Sequence, residues 1–437
     1  MDAPVKDRQP LFHDRSFWGM TATQFLGAFN DNLFKQLMLL LAIPVGAAAS
    51  AKADEQGLAT MIFSLPFVLF SGFAGYLSDR YSKRTIIVIC KLAEIGIMLL
   101  GMLAFLGYGT LGYRGLLVIL FLMGTHSAFF GPGKYGVLPE LFHEQDLPRA
   151  NGVILMTTFL AIIFGTASAG LLGDLLYNAA GERVPERLWI GSLFCVGIGI
   201  LGTIASLLVR QVPAAVPSLK FEPTTLFIPR ESRQLLLADR PLLGALVISC
   251  VFWLMSGLAM QSVNSLGMTQ LGVGERRTSL LTAVIGIGIA IGAVLAGRFS
   301  RGKADFRLVT WGAWGLAAGF CMMGISWPAD GGYHHLFGYV GSFPALLCLG
   351  IAAGMLAVPV QVFIQTRPPE DQKGRMIAVM NLTNFIAILL SGVIYLALDR
   401  LLTALHWPRS VLFAFNAALI LPVALFYRPQ AEPRVGR

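Results

Sequence analysis

The sequence predicts an all-α membrane protein with twelve transmembrane helices in two pseudo-symmetric six-helix halves. Three observations predict this class. The 437 residues are 55% hydrophobic and 13% charged, with a mean hydropathy of +0.68; a soluble domain carries about twice that charge. Apolar stretches near the ~20 residues needed to cross a bilayer follow one another along the whole chain. Short sequence patterns from the first half return in the second.

The spans fall at roughly 17–44, 57–78, 85–108, 114–133, 150–176, 188–209, 241–270, 278–297, 307–327, 340–364, 376–398 and 408–427. Pro66, Pro344 and Pro359 lie inside spans, where neighbouring helices can re-satisfy the backbone. The organisation expected is a cytoplasmic N-terminus (1–16), a first six-helix half (17–209), a cytoplasmic linker (210–240), a second half (241–427) and a cytoplasmic tail (428–437). Residues 1–16 mix acids and bases and lack the apolar run of a signal peptide. The linker carries Pro213, Pro217, Pro223 and Pro229 among scattered charges. Lys and Arg set the orientation: 23 lie on the side of the termini and 8 on the other, so both termini are expected in the cytoplasm.

The halves echo each other. GYLSDRYSKR (75–84) follows span two and GRFSRGK (297–303) follows span eight, with Arg301 where Asp79 would fall. LPRANGVILMTTFLAI (147–162) and KGRMIAVMNLTNFIAI (373–388) match at Arg149/Arg375, Thr157/Thr383, Phe159/Phe385 and Ala161/Ala387. Parallel repeats around a central site are a known transporter plan.

Several function classes drop out. The net charge of +9 resides in short loops between apolar spans, a topological pattern rather than a nucleic-acid surface. Cys90, Cys195, Cys250, Cys321 and Cys348 all stand in apolar runs without a CxxC pair, so buried free thiols are expected, with no disulfide, metal or other cofactor. No GxSxG, Walker loop or HExxH is present, and no enzyme is expected.

Charge inside the spans carries the functional reading. In QFLGAFNDNLFKQLMLLL (24–41), Asp31 and Lys35 are four apart and share a helix face with Gln24, with Asn30 and Asn32 alongside. A charged stripe on a spanning helix points to a cavity or a bundle interior. Lys91 and Glu94 form a second pair, placed toward the cytoplasmic end of span three and read first as structural. Asp31 admits three roles: substrate contact, proton carrier or structural partner of Lys35. His126 is a candidate cavity-lining residue or a packed histidine. Gln261, Asn264 and Gln270 are head-group contacts or interhelical bonds, and Gly286, Gly288 and Gly292 are close-packing positions. Asp174 marks an outer interface.

Gly75-Tyr-Leu-Ser-Asp79-Arg80-Tyr-Ser-Lys83-Arg84 closely resembles the signature loop of the major facilitator superfamily. The resemblance implies a conformational latch at Gly75, Asp79, Arg80 and Arg84, with Gly75 allowing close helix approach and Asp79 capping or pairing with a helix end. QFLGAFNDN (24–32), GPGKYGVLPEL (131–141) and RANG (149–152) are similar to the bacterial lysophospholipid transporters, which suggests a finer placement. That family carries lysophosphatidylethanolamine-like lipids across the inner (plasma) membrane for re-acylation. It implies a membrane-lipid substrate, alternating access, a coupling ion and a separate acyltransferase/acyl-carrier synthetase partner. It also implies a basic residue in span seven, where this chain has Gln261. The substrate-binding candidates are then Asp31, Lys35, Gln24, Asn30, His126, Gln261 and Asn264. Two alternatives stand beside this reading. One is a proton-coupled small-solute or drug antiporter, whose usual proline is missing from FGTASAGLLGD (164–174). The other is a non-transporting scaffold or receptor, which has no need of charge at mid-membrane.

Overall fold

Apolar runs of this length satisfy their backbone in lipid by closing helical hydrogen bonds within each segment, and the chain folds accordingly. The computed structural model describes residues 10–45, 53–179, 182–221, 230–300, 305–329, 332–369 and 372–427. Its helices are α1 (Arg15–Leu41), α2 (Gln56–Arg80), α3 (Lys83–Leu106), α4 (Tyr108–Gly136), the single turn α5 (Leu138–Leu141), α6 (Leu147–Gly173), α7 (Trp189–Leu207), the short α8 (Arg230–Ala238), α9 (Arg240–Ser265), α10 (Gly274–Ser300), α11 (Phe306–Met323), α12 (Gly338–Thr366), α13 (Lys373–Ala404) and α14 (Val411–Phe426). Setting α5 and α8 aside leaves twelve long helices among the described residues, one for each expected span. Nine of these twelve meet both the length and the apolarity of a membrane span. The polar content of α1, the lower apolarity of α11 with its Arg307, and the shortness of α14 account for the others.

Two compact units emerge. The first comprises Met1–Ala42 and Ile62–Phe227, the second Ile43–Met61 and Ile228–Arg437, so the boundary passes through α2. Within the first unit α1 packs on α6 and α7, and α3 on α4 and α7. Within the second, α9 packs on α13 and α14, and α11 on α12 and α14, which is the same pairing scheme. The repeat reaches individual residues. Thr157 returns its hydroxyl to the carbonyls of Val153 and Ile154, and Thr383 does the same to Val379 and Met380. The equivalent helices α1 and α9 both open with a capping aspartate. Asp14 accepts from Ser16 N at 2.7 Å and pairs with Arg210 at 2.9 Å. Asp239 accepts from Leu242 N at 3.1 Å and pairs with Arg367 at 2.8 Å. Both caps satisfy amides that the first helical turn leaves without partners.

Small residues decide the tightest crossings. A Cβ on Gly288 would come within 2.4 Å of the Leu347 carbonyl, and one on Gly292 within 2.1 Å of the Ile351 carbonyl. These two glycines therefore bring α10 against α12, the close-packing role expected of them. Other expectations need correction. Span nine is expected to reach 327, but α11 stops at Met323 and a two-stranded hairpin follows, β1 (Ser326–Ala329) antiparallel to β2 (Gly332–His335). The five cysteines are not all buried: Cys321 and Cys348 are exposed. Both stand on helices whose outer surface faces lipid in this reading, where a thiol behaves as a small apolar group. Arg301 lies outside the described residues.

Candidate functional site

The first unit holds its charge deep. Lys91 and Glu94 form an ion pair with both side chains 1% exposed. Glu94 stands at the middle of α3, not toward the cytoplasmic end as the sequence had suggested. Its carboxylate serves as a hub. Asn30 of α1 donates to Oε1 at 2.6 Å, and His126 of α4 sets Nε2 3.5 Å from Oε2. The same Asn30 amide reaches the Cys195 carbonyl of α7 at 3.2 Å. Two glycines make room for the lysine. A Cβ on Gly27 would lie 3.1 Å from Lys91 Nζ, and one on Gly202 only 2.6 Å from its Cε. A buried charge needs both an opposite charge and hydrogen bonds to be tolerated, and this cluster supplies both from four helices.

Asp31 and Lys35 behave differently. They make no ion pair with each other among the described residues. Ser127 of α4 donates to Asp31 Oδ2 at 2.6 Å. Asp31 Oδ1 is buried without a hydrogen-bond partner. Lys35 donates to Asn32 Oδ1 at 3.3 Å and rests 5.3 Å above the Phe63 ring, a cation–π contact. Gln24, grouped with them by spacing, is buried and donates to Thr158 of α6 at 2.9 Å. The expected single stripe therefore divides: Gln24 turns to α6, Asn30 to α3 and α7, and Asp31 to α4. Helical periodicity places residues on a face, but the choice of partner belongs to the packed neighbours.

The second unit is neutral at mid-helix. Gln261 and Asn264, at 1% and 0% exposure, are absorbed into a buried hydrogen-bond network. Gln261 Nε2 donates to Thr60 at 3.0 Å, Asn264 Nδ2 donates to Gln56 Oε1 at 3.0 Å, and Thr282 donates to Asn264 Oδ1 at 3.2 Å. Gln56 in turn donates to Asp54 Oδ2 at 3.0 Å, where Tyr395 of α13 donates at 2.7 Å. Burial pushes the Asp54 carboxyl up to about 6 from an ordinary 3.8, against the hydrogen bonds from Gln56 and Tyr395 that favour its ionised form. Gln270 Oε1 accepts from Ser410 N at 2.8 Å. Interhelical bonding thus claims the amides that the sequence offered as head-group contacts.

The signature loop works through its bases. Arg84 donates to the Val209 carbonyl at 3.0 Å and the Leu207 carbonyl at 3.4 Å, closing the end of α7. Arg80 donates to Tyr76 and, at 3.3 Å, to the Leu219 carbonyl. Phe221 packs on Phe73 and Tyr76, and Lys83 pairs with Glu140. Two expectations are corrected here. A Cβ on Gly75 would meet nothing within 4 Å, so close approach does not require a glycine there. Asp79 is exposed, and its backbone carbonyl, not its carboxylate, accepts from Val216 N at 2.9 Å. The helix-end contact belongs to Arg84, while Arg80 holds the connector at Leu219.

Sequence reasoning missed Ser127, Thr158, Thr60, Asp54, Gln56, Thr282 and Tyr395. Ser127 adjoins His126, and Asp54-Glu55-Gln56 is a polar triplet directly before an apolar run; both were available signals. Gly27 and Gly202 as the walls of the lysine channel had none.

Twelve long helices in two repeated units, with ionisable side chains at mid-helix in one of them, define a membrane transport protein. Residues 20–392 match the Major Facilitator Superfamily, and the chain belongs to that superfamily. It is 27% identical over 402 residues to the lysophospholipid transporter LplT of Serratia proteamaculans (strain 568), covering 89% of this chain and 90% of the relative. It is likewise 27% identical over 405 residues to LplT of Yersinia pestis (strain Pestoides F), covering 89% and 88%. Among solved structures, a POT family transporter in complex with 5-aminolevulinic acid superposes with a TM-score of 0.69 at 14% identity, over 94% of this chain and 95% of that one. A bacterial homologue of the iron transporter ferroportin gives 0.63 at 12% identity, over 95% and 100%. These last two share the fold.

Proposed function

We propose that this transporter moves lysophospholipids of the lysophosphatidylethanolamine type across a bacterial inner membrane by alternating access, with both termini cytoplasmic. The observation that carries the reading is the unpaired state of Asp31 and Lys35. An acid and a base one helical turn apart, each satisfied by neutral groups rather than by the other, suit a ligand that brings its own ammonium and phosphate. An ion in a membrane interior that lacks a protein counter-ion is costly and marks a substrate path by default. The similarity to the LplT proteins supports the same substrate class. Re-acylation after transport assigns the next step to a separate acyltransferase/acyl-carrier synthetase.

Uptake assays in proteoliposomes test the reading. Lysophosphatidylethanolamine should enter at a rate that depends on the protein, while diacyl phosphatidylethanolamine should not. Equal movement of both lipids, or of neither, would remove the proposal. Cysteines placed in 210–240 should be shielded from impermeant reagents in intact cells, and labelling from outside would reverse the orientation.

A further inference from the structure

The cluster around Glu94 contains a base that the substrate reading leaves unused. His126 is buried, its Nε2 faces the Glu94 carboxylate at 3.5 Å, and its Nδ1 is buried with no hydrogen-bond partner. A neutral imidazole that faces a carboxylate through Nε2 carries its proton there, leaving the Nδ1 lone pair open. The next residue on the same helix, Ser127, holds Asp31. One turn of α4 therefore touches both mid-helix carboxylates of the first unit.

We infer that His126 is a proton-binding site whose occupancy opposes that of a substrate ammonium at Asp31. This inference rests on the function proposed above. The groups that bear on the imidazole are Glu94 and Lys91 from α3, Asp31 from α1, and Ser127 beside it on α4. The Asn30 amide and the Cys195 carbonyl form the neutral remainder. From α2, Phe63 and Pro66 approach Gly124 and bring no charge. Lys91 is set against Glu94, while Lys35 is turned to Asn32 and the Phe63 ring, so Asp31 is left without a basic partner and the cluster carries about one negative charge when His126 is neutral. One added positive charge can share the two carboxylates, and a second lacks a counter-ion. A proton taken up at Nδ1 and an ammonium arriving at Asp31 are each such a charge. As the ammonium binds, the proton leaves Nδ1 for water, giving exchange of one cation for another. His126 suits this role because an imidazole changes charge in the physiological range.

The test uses the full chain in nanodiscs, in weakly buffered solution with a pH-reporting dye, and lysophosphatidylethanolamine as the probe. At pH 6, binding should release about one proton per lipid, and affinity should rise about tenfold between pH 6 and pH 8. Lysophosphatidylglycerol, which has no ammonium, should release none. His126→Asn should abolish both the proton release and the pH dependence. Should that variant fail to fold, the wild-type proton count and pH series decide alone. Binding that is flat with pH and releases no proton overturns this inference and leaves the proposed function standing. Absence of binding at every pH overturns both.

Discussion

The two units share a packing scheme but not an interior. At mid-helix the first carries Asp31, Lys35, Lys91, Glu94 and His126. Among the described residues, the second has no Asp, Glu, Lys, Arg or His at the middle of any of its long helices, and it joins α9, α10 and the start of α2 through Gln261, Asn264, Thr282, Gln56 and Thr60. Its charged contacts sit at helix ends, such as Asp399 with Arg409 and Arg375 with Glu231. A duplicated architecture has thus been filled with charge on one side and with amides on the other. Neutral networks hold helices together at modest cost, since each bond can be lost without stranding an ion. Charges at mid-membrane are costly and persist where they are used. On the proposed function, the polar chemistry of transport belongs to the first unit.

The sharpest way to break the comparison is to strand a charge. Glu94→Gln leaves Lys91 buried without its counter-ion, which should cost about 3–5 kcal/mol. Adding Lys91→Met should recover most of that loss. Thermal unfolding in detergent measures both variants. A single variant as stable as the wild type would mean that the pair is not what the first unit depends on. The matching change in the second unit is Asn264→Ala, which leaves Gln56 Oε1 short of its donor while the Thr282 hydroxyl keeps the Thr278 carbonyl, and should cost about 1–3 kcal/mol. If its loss equalled or exceeded that of Glu94→Gln, the contrast between ionic and neutral interiors would fail.

A smaller effect lies at Asp54, where burial has pushed the carboxyl up to about 6. The folded state favours its protonated form, so its stabilising contribution is complete below the ordinary value of 3.8 and is lost as pH rises through about 6. Hydrogen exchange at residues 55–61 should therefore quicken between about pH 5 and 7, and Asp54→Asn should flatten that profile. Exchange that slows as pH rises, once corrected for the intrinsic rate, would reverse the sign.

The number of spans was legible because a bilayer of fixed thickness demands a fixed length of apolar chain, and that demand is written locally. The spans expected from hydropathy and the twelve long helices agree to within a few residues at most ends. The hairpin was legible in part. An Asp-Gly step stands between the residues that became β1 and β2, a turn signal that the surrounding apolar text masked. The site was legible as a set of residue types but not as a set of contacts. Asp31, Lys35, Lys91 and Glu94 declare themselves by being charged in the wrong place. That Asn30 bridges Glu94 to Cys195, or that Gly27 and Gly202 make the channel for Lys91, depends on which helices pack together, and no periodicity carries that. Gln261 and Asn264, open in the sequence to head-group contact or interhelical bonding, take the second role here for the same reason, because their partners come from α2 and α10.

The central claim is that the unpaired charges on α1 receive a zwitterionic head group, and Asp31→Asn tests it most directly. Uptake of lysophosphatidylethanolamine and lysophosphatidylglycerol is measured in parallel, in proteoliposomes holding the wild type or the variant. The account predicts that Asp31→Asn nearly abolishes transport of the ammonium-bearing lipid and spares the other. Full activity toward both lipids would contradict it and remove Asp31 from the site.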